Sequence, residues 1–236
     1  MTRARPFAAI IASAIALAAA PASAATRSYT VTSFARVRVD GPYAVTIHTN
    51  RGPSAKAIGE AAALDRLKLR VEGTTLVVSV DPGGDWGGYP GRPTGPVRIE
   101  AGTAELSAAT VNGAGSLVID RVRGQEFGLN LQGSGLASIT EVDVDRLKIG
   151  LSGSGAARVS GRVLALTAIV RGSGSLDASG LEAKNAVIGA EGPAVVKASV
   201  GGTAKVDAAG AAAVELSGAP ACQVKAIGTA SVSGCR

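Results

Sequence analysis

From residue 109 onward apolar and polar positions alternate, and the alternation restarts at a regular interval. Two places before each of seven glycines (Gly113, Gly133, Gly153, Gly172, Gly192, Gly210 and Gly228) stand Val111, Leu131, Leu151, Val170, Ala190, Ala208 and Ala226. Four places after them stand Leu117, Ala137, Ala157, Leu176, Val196, Val214 and Val232. The places four before and six after obey the same rule, as with Ala109 and Ile119 around Gly113. A period of two on both sides of a glycine predicts short half-buried strands rather than helices. Lys148, Arg158, Arg171, Lys197 and Glu215 take the alternate places, so one face is buried and the other is wet.

The seven glycines lie 20, 20, 19, 20, 18 and 18 residues apart. Near-copies at such a period predict a stacked solenoid. Strand periodicity within each copy makes it an all-β, parallel β-helix, with coils of 18–20 residues stacked ~4.8 Å apart. Residues 111–236 form the regular repeats. Their corners carry paired glycines, Gly113 with Gly115, Gly133 with Gly135, Gly153 with Gly155, and Gly172 with Gly174. Glycine turns such corners because it adopts positive φ without a Cβ clash. The serine between two glycines is expected to bond to nearby backbone or to the serine above it.

Residues 25–110 read as irregular coils that begin and cap the same solenoid, continuous with the repeats as one domain. VTSFARVRVDGPYAVTIHT alternates about Asp40-Gly41-Pro42, which predicts either a strand pair or a coil corner. A further strand, a short Ala-rich turn and two strands around Glu72-Gly73 follow. Here the chain resembles a known family. The pattern F-x-x-V-x-V-x-G-x-Y-x-V-x-I, as Phe34, Val37, Val39, Gly41, Tyr43, Val45 and Ile47, the later LKLRVEGTTLVVSV, and the repeated G-S-G look like the putative auto-transporter adhesin, head GIN domain family. The resemblance spans essentially everything after the first 24 residues. It implies an exported parallel β-helix of unknown biochemical function, and no site residues are carried over from it.

Composition agrees with a narrow interior: aromatic residues make up only 3% of the 236. The opening MTRARPFAAIIASAIALAAAPASA has a basic start, an apolar run from Phe7 to Ala20 and a small-residue Ala22-Ser23-Ala24, the design of a signal peptide cleaved after Ala24. The run is shorter than the ~20 residues that span a bilayer, so residues 1–24 predict export to the periplasm, cell surface or medium, with no integral span afterwards. Without Arg3 and Arg5, 22 basic and 18 acidic residues remain, scattered along the chain. Neither a basic stripe nor an aromatic platform is present, which excludes nucleic-acid binding. Cys222 and Cys235 are expected to form a disulfide in an oxidising compartment. Two thiolates without a nearby histidine make only half of a zinc site, so no metal or other cofactor is expected.

Candidate chemistry is sparse. His48, the single histidine, falls at a polar strand position with no partner identified by sequence, and no G-x-S-x-G elbow accompanies it. The G-S-G serines lack the third glycine and following helix of a phosphate cradle. Asp143 and Asp145, near Arg146 and Lys148, are the carboxylates to weigh for an enzyme cleaving polysaccharide, though a solvated charged turn accounts for them. DPGGDWGGYPGRPTGP, residues 81–96, admits no regular element. Its Asp85, Trp86 and Tyr89 are the candidate ligand-binding residues, exposed aromatics being good contacts for sugars or proteins. These features predict a non-catalytic domain that binds a cell-surface glycan or an envelope protein. A polysaccharide-acting enzyme and a passive envelope scaffold are the alternatives.

Overall fold

Gly113, Gly133, Gly153, Gly172, Gly192, Gly210 and Gly228 all adopt positive φ, between +79° and +114°. They stack as a ladder: a Cβ on Gly153 would lie 2.5 Å from the carbonyl oxygen of Gly133. Conformation demands glycine at all seven, and from Gly133 onward crowding against the coil below demands it too. The structure is a computed structural model that describes residues 24–81 and 95–236.

The first strands are β1 (Ala25–Tyr29), β2 (Arg36–Asp40), β3 (Ala44–His48) and β4 (Ser54–Gly59), followed by a short helix α1 (Ala61–Asp65) where sequence predicts a turn. Next come β5 (Leu67–Glu72), β6 (Thr75–Val80), β7 (Arg98–Gly102) and β8 (Ala108–Gly113). The regular coils are β9 (Ser116–Gly133), β10 (Leu136–Gly153), β11 (Ala156–Gly172), β12 (Ser175–Glu191) and β13 (Val195–Gly210). The last coil is broken into β14 (Ala213–Ser217), β15 (Ala221–Gly228) and β16 (Ser231–Ser233). From β9 to β13 each strand pairs in parallel with the next, corner over corner, and β14 and β15 both pair with β13, in a β-solenoid of about six turns. The predicted architecture is therefore the observed one.

Inside, the rows read from sequence are continuous. Val111, Leu131, Leu151, Val170, Ala190 and Ala208 are all buried, as are Leu117, Ala137, Ala157, Leu176, Val196 and Val214. A third inward row tapers along the stack, Phe127, Leu147, Leu166, Ala186, Ala204 and then Cys222. Cys222 packs against this core and is bonded to Cys235, with 5.7 Å between their Cα atoms. Val224 belongs to an inward row yet is 44% exposed, because no described strand lies beyond β15.

The second glycine of each corner answers to crowding alone. A Cβ on Gly115, Gly135 or Gly155 would stand 2.6–2.9 Å from a carbonyl oxygen one coil below. At Gly174 that distance relaxes to 3.2 Å, and in the next coils buried Ala194 and Ala212 take the place. The serines between the glycines behave otherwise than expected. Main-chain N–H groups of Ser134 and Ser154 bond to the carbonyls of Gly113 and Gly133, at 3.0 and 2.9 Å. Their side chains face solvent, and the hydroxyls make no hydrogen bond to described residues, since the glycine carbonyls beneath are already satisfied by backbone.

The first coil is out of chain order. β2 pairs in parallel with β6 on one side and β8 on the other, and β3 likewise lies between β7 and β9. Gly41, at φ +117°, is thus the first corner of the ladder, and Asp40-Gly41-Pro42 is a corner rather than a hairpin. Beyond it β4 and β5 run antiparallel to β7 and β6, and β1 antiparallel to β4. Leu64 of α1 is buried against this end, held by the guanidinium of Arg27, which donates to the Leu64 carbonyl and pairs with Asp65 at 2.7 Å.

Candidate ligand-binding groove on the first coil

After His48 the chain must leave β3 and return as β4, and it does so through Asn50, a non-glycine residue at φ +56°. Asn tolerates this conformation better than other side chains. The turn is fixed by N–H groups of Asn50 and Arg51, donating to the carbonyls of Ala104 and Thr103 at 3.0 Å each. Strand register then sets Ser54, Gly102 and His48 side by side on one outward row. A Cβ on Gly102 would lie 2.6 Å from Ser54 Oγ, so its missing side chain leaves the floor open. The resulting groove has a volume of about 510 Å³, bordered by Tyr29, Thr30, His48, Arg51, Ser54 and the pair Lys56 and Glu100.

Its charges are mostly spoken for. Lys56 Nζ lies 2.9 Å from Glu100, and that hydrogen bond holds the Glu100 carboxyl below its ordinary range. His48 Nδ1 faces Asp120 Oδ2 at 3.3 Å. Burial would push the Asp120 carboxyl up. The N–H groups of Thr49 and Arg121, then His48 and the Thr49 hydroxyl, outweigh burial and hold it below the usual value. Arg51 pairs with no carboxylate among the described residues and is exposed.

The histidine that sequence reading left without a partner therefore has one. With the proton on Nδ1 toward Asp120, the other ring nitrogen is left as an acceptor. Its hydrogen bonding among the described residues goes to Asp120 alone, with no hydroxyl bonded to it as a nucleophile would be. The groove can bind and orient a polar ligand; it does not assemble a triad.

Asp143 is not free for acid–base work. Arg162 donates to both its oxygens, at 2.9 and 3.0 Å, and lowers its pKa. Asp145 is exposed beside it on a shallow depression that Arg123 also borders. Asp143 aligns with Arg162 in the next coil, while Asn185 aligns with Ala165 and Arg146, so no acidic ladder forms. Elsewhere the walls are knit by charges at equal heights. Arg158, Asp177, Lys197 and Glu215 alternate along one row, with ion pairs of 3.1 and 3.0 Å. Glu126 similarly takes both Arg146 and Lys148. Among the described residues no three His, Cys, Asp or Glu side chains gather as a metal site.

Asp85, Trp86 and Tyr89 lie outside the described residues, as do residues 1–23 of the expected signal peptide 1–24. The ends of their segment are placed. The Asp81 N–H donates to the Arg66 carbonyl at 2.8 Å, and Val80 packs over the Gly41 corner with Tyr43. Gly95 returns to the same corner, beside Pro96 and Pro42. No described helix is long and apolar enough to cross a membrane.

Comparison with curated proteins gives no match. Among solved structures, a putative adhesin from Bacteroides fragilis is similar at TM-score 0.79 and 15% identity, covering 89% of this chain and 96% of that one. A putative lipid binding protein from Parabacteroides distasonis gives 0.71 and 18% identity, covering 92% and 98%. A putative adhesin from Parabacteroides merdae gives 0.66 and 15%, with the same coverage of 92% and 98%. At these identities the likeness is one of fold. The sequence profile described as putative auto-transporter adhesin, head GIN domain, matches residues 33–220, and the chain belongs to that family.

Proposed function

We propose that the protein is an exported, non-catalytic domain of the cell envelope or cell surface that binds a surface glycan or an envelope protein. Membership of an adhesin family supports a binding role. The observation that carries the reading is the groove beside His48. Recognition groups stand there on a stacked, hydrogen-bonded coil, while the imidazole is engaged by Asp120 rather than by a nucleophile. Groups fixed before binding cost little ordering entropy when a ligand arrives. Asp85, Trp86 and Tyr89 are proposed as further contacts on the strength of their residue types, in a segment whose two ends lie at the Gly41 corner, before β3, while the groove lies beyond it.

The test is direct. Purified protein is titrated onto intact cells and envelope fractions while the same polysaccharides are monitored for shortening. Saturable binding without new chain ends is expected. Cleavage products would establish the competing enzyme, and absence of any binding would leave a passive scaffold.

A further inference from the structure

We infer that the groove bordered by His48, Arg51 and Ser54 takes a sugar residue bearing a carboxylate, an assignment that rests on the surface-binding reading above. The argument begins with charge balance. Lys56 and Glu100 neutralise one another at 2.9 Å, and Asp120 is engaged by Thr49, Arg121 and His48. Arg51 is left as the cation on the rim with no carboxylate of the described chain against it. A guanidinium presents a planar fork of donors that matches a carboxylate by two parallel hydrogen bonds.

Arg51 is also held in place. Its own N–H and that of Asn50 are bonded to Thr103 and Ala104, and Asn50 is kept at φ +56°. Such a conformation in a non-glycine residue persists where its surroundings over-determine it, and it clusters at ligand-binding sites. The turn thereby fixes the main chain from which Arg51 borders the groove, with its Cβ 3.5 Å from where a Gly102 side chain would begin.

The remaining border selects a sugar over a bare anion. Ser28, Thr30 and Ser54 present hydroxyls that both donate and accept, as ring hydroxyls require. His48, on the same border, has its second ring nitrogen for a further hydroxyl once Nδ1 faces Asp120. Tyr29, Val31 and Pro53 supply apolar surface for the C–H face of a ring. The volume, about 510 Å³, falls within the ~300–1,000 Å³ of small-molecule clefts. A phosphate dianion would find one unpaired cation and no helix N-terminus here, which is poor provision for its charge.

Calorimetry decides the matter. The protein is titrated with short oligosaccharides of glucuronate or galacturonate, with the same oligosaccharides after reduction of their carboxylates to alcohols, and with inorganic phosphate. Acidic sugars are expected to bind at least ten times more tightly than either other probe. Arg51→Gln brings the acidic sugar down to the reduced-sugar level, Arg51→Lys falls between, and Arg158→Gln, on the far row, has no effect. Equal binding of acidic and reduced sugars, wild-type affinity in Arg51→Gln, or binding of none of the probes overturns the assignment. Cell binding separates the two readings. If Arg51→Gln still holds cells like the wild type, the sugar assignment fails and surface binding stands. If the wild type holds acidic sugars but no cells, the reverse is true.

Discussion

His48 Nδ1 stands 3.3 Å from Asp120 Oδ2 although 72 residues separate them along the chain. Each lies seven places after its own corner glycine, Gly41 and Gly113, so stacking of the corners brings them together. Asp120 also accepts from the N–H and hydroxyl of Thr49 and so ties the first coil to the second. Asp120→Ala is expected to cost about 1 kcal/mol, a modest figure because 41% of the side chain is open to solvent. A thermal melt should move down by roughly 2–4 °C, and an unchanged melt would show that the bond is ornamental.

The corner glycines are not equivalent to other glycines. Gly153→Ala sets a methyl group 2.5 Å from the Gly133 carbonyl oxygen at φ +114°, and a loss of about 3 kcal/mol is expected. Gly128→Ala meets nothing within 4 Å and has no positive φ, so it should stabilise by about 0.5–1 kcal/mol, as Ala does over Gly inside a strand. Urea denaturation of the two variants measures both. Equal effects would refute the ladder.

The closing disulfide spans 13 residues and holds the last, thinly packed coil. Replacing Cys222 and Cys235 by Ala should lower stability by about 3 kcal/mol on the chain-entropy account. Circular dichroism should keep its β signal. Hydrogen exchange should quicken in residues 221–233 while β9 and β10 stay protected; uniform loosening would mean that the bond supports the whole stack.

Acid should weaken the fold in a defined window. Glu100, Glu126, Asp143 and Asp177 are held below their ordinary pKa by hydrogen bonds, chiefly from Lys56, Lys148, Arg162 and Ser179, and Asp120 by the groups already described. A carboxyl with a lowered pKa in the folded state contributes stability above its unfolded value and loses it as pH falls. Unfolding midpoints should be level from about pH 7 to 5 and decline below about pH 4. Because most of these pairs are exposed, 1 M salt should flatten the decline.

Segment 84–92 should be dispensable for folding and needed for binding. The strands on either side are secured without it, Asp81 by Arg66 and Val97 by Ala44. Its deletion is expected to leave the melt unchanged and to weaken attachment to cells. Full attachment by the deletion variant would remove Asp85, Trp86 and Tyr89 from the binding surface.

The regular coils were legible because each inward row repeats at one interval and each corner needs a residue without a side chain. Phe127, Leu147 and Leu166 could be placed in the core by counting from Gly133, Gly153 and Gly172. The insertion of β2 and β3 between later strands could not, since alternation says which face is buried but not which edge is paired. That is also why His48 lacked a partner on paper. Counting from Gly113 left Gly41 off the ladder, and with it the shared offset that reveals Asp120. Arg51 gave no signal at all, because an unpaired cation becomes visible only when its neighbours' ion pairs are known.

The out-of-order coil has a consequence for biogenesis. A nascent polypeptide emerges from its amino end, yet β2 and β3 stay without flanking partners until β6 to β9 have followed them. More than a hundred residues must therefore clear the ribosome before that layer can zip on both sides, whereas each later rung can settle as it is made. The amino-terminal layer is thus completed by contacts of long sequence separation, whereas each repeat pairs with the one made just before it.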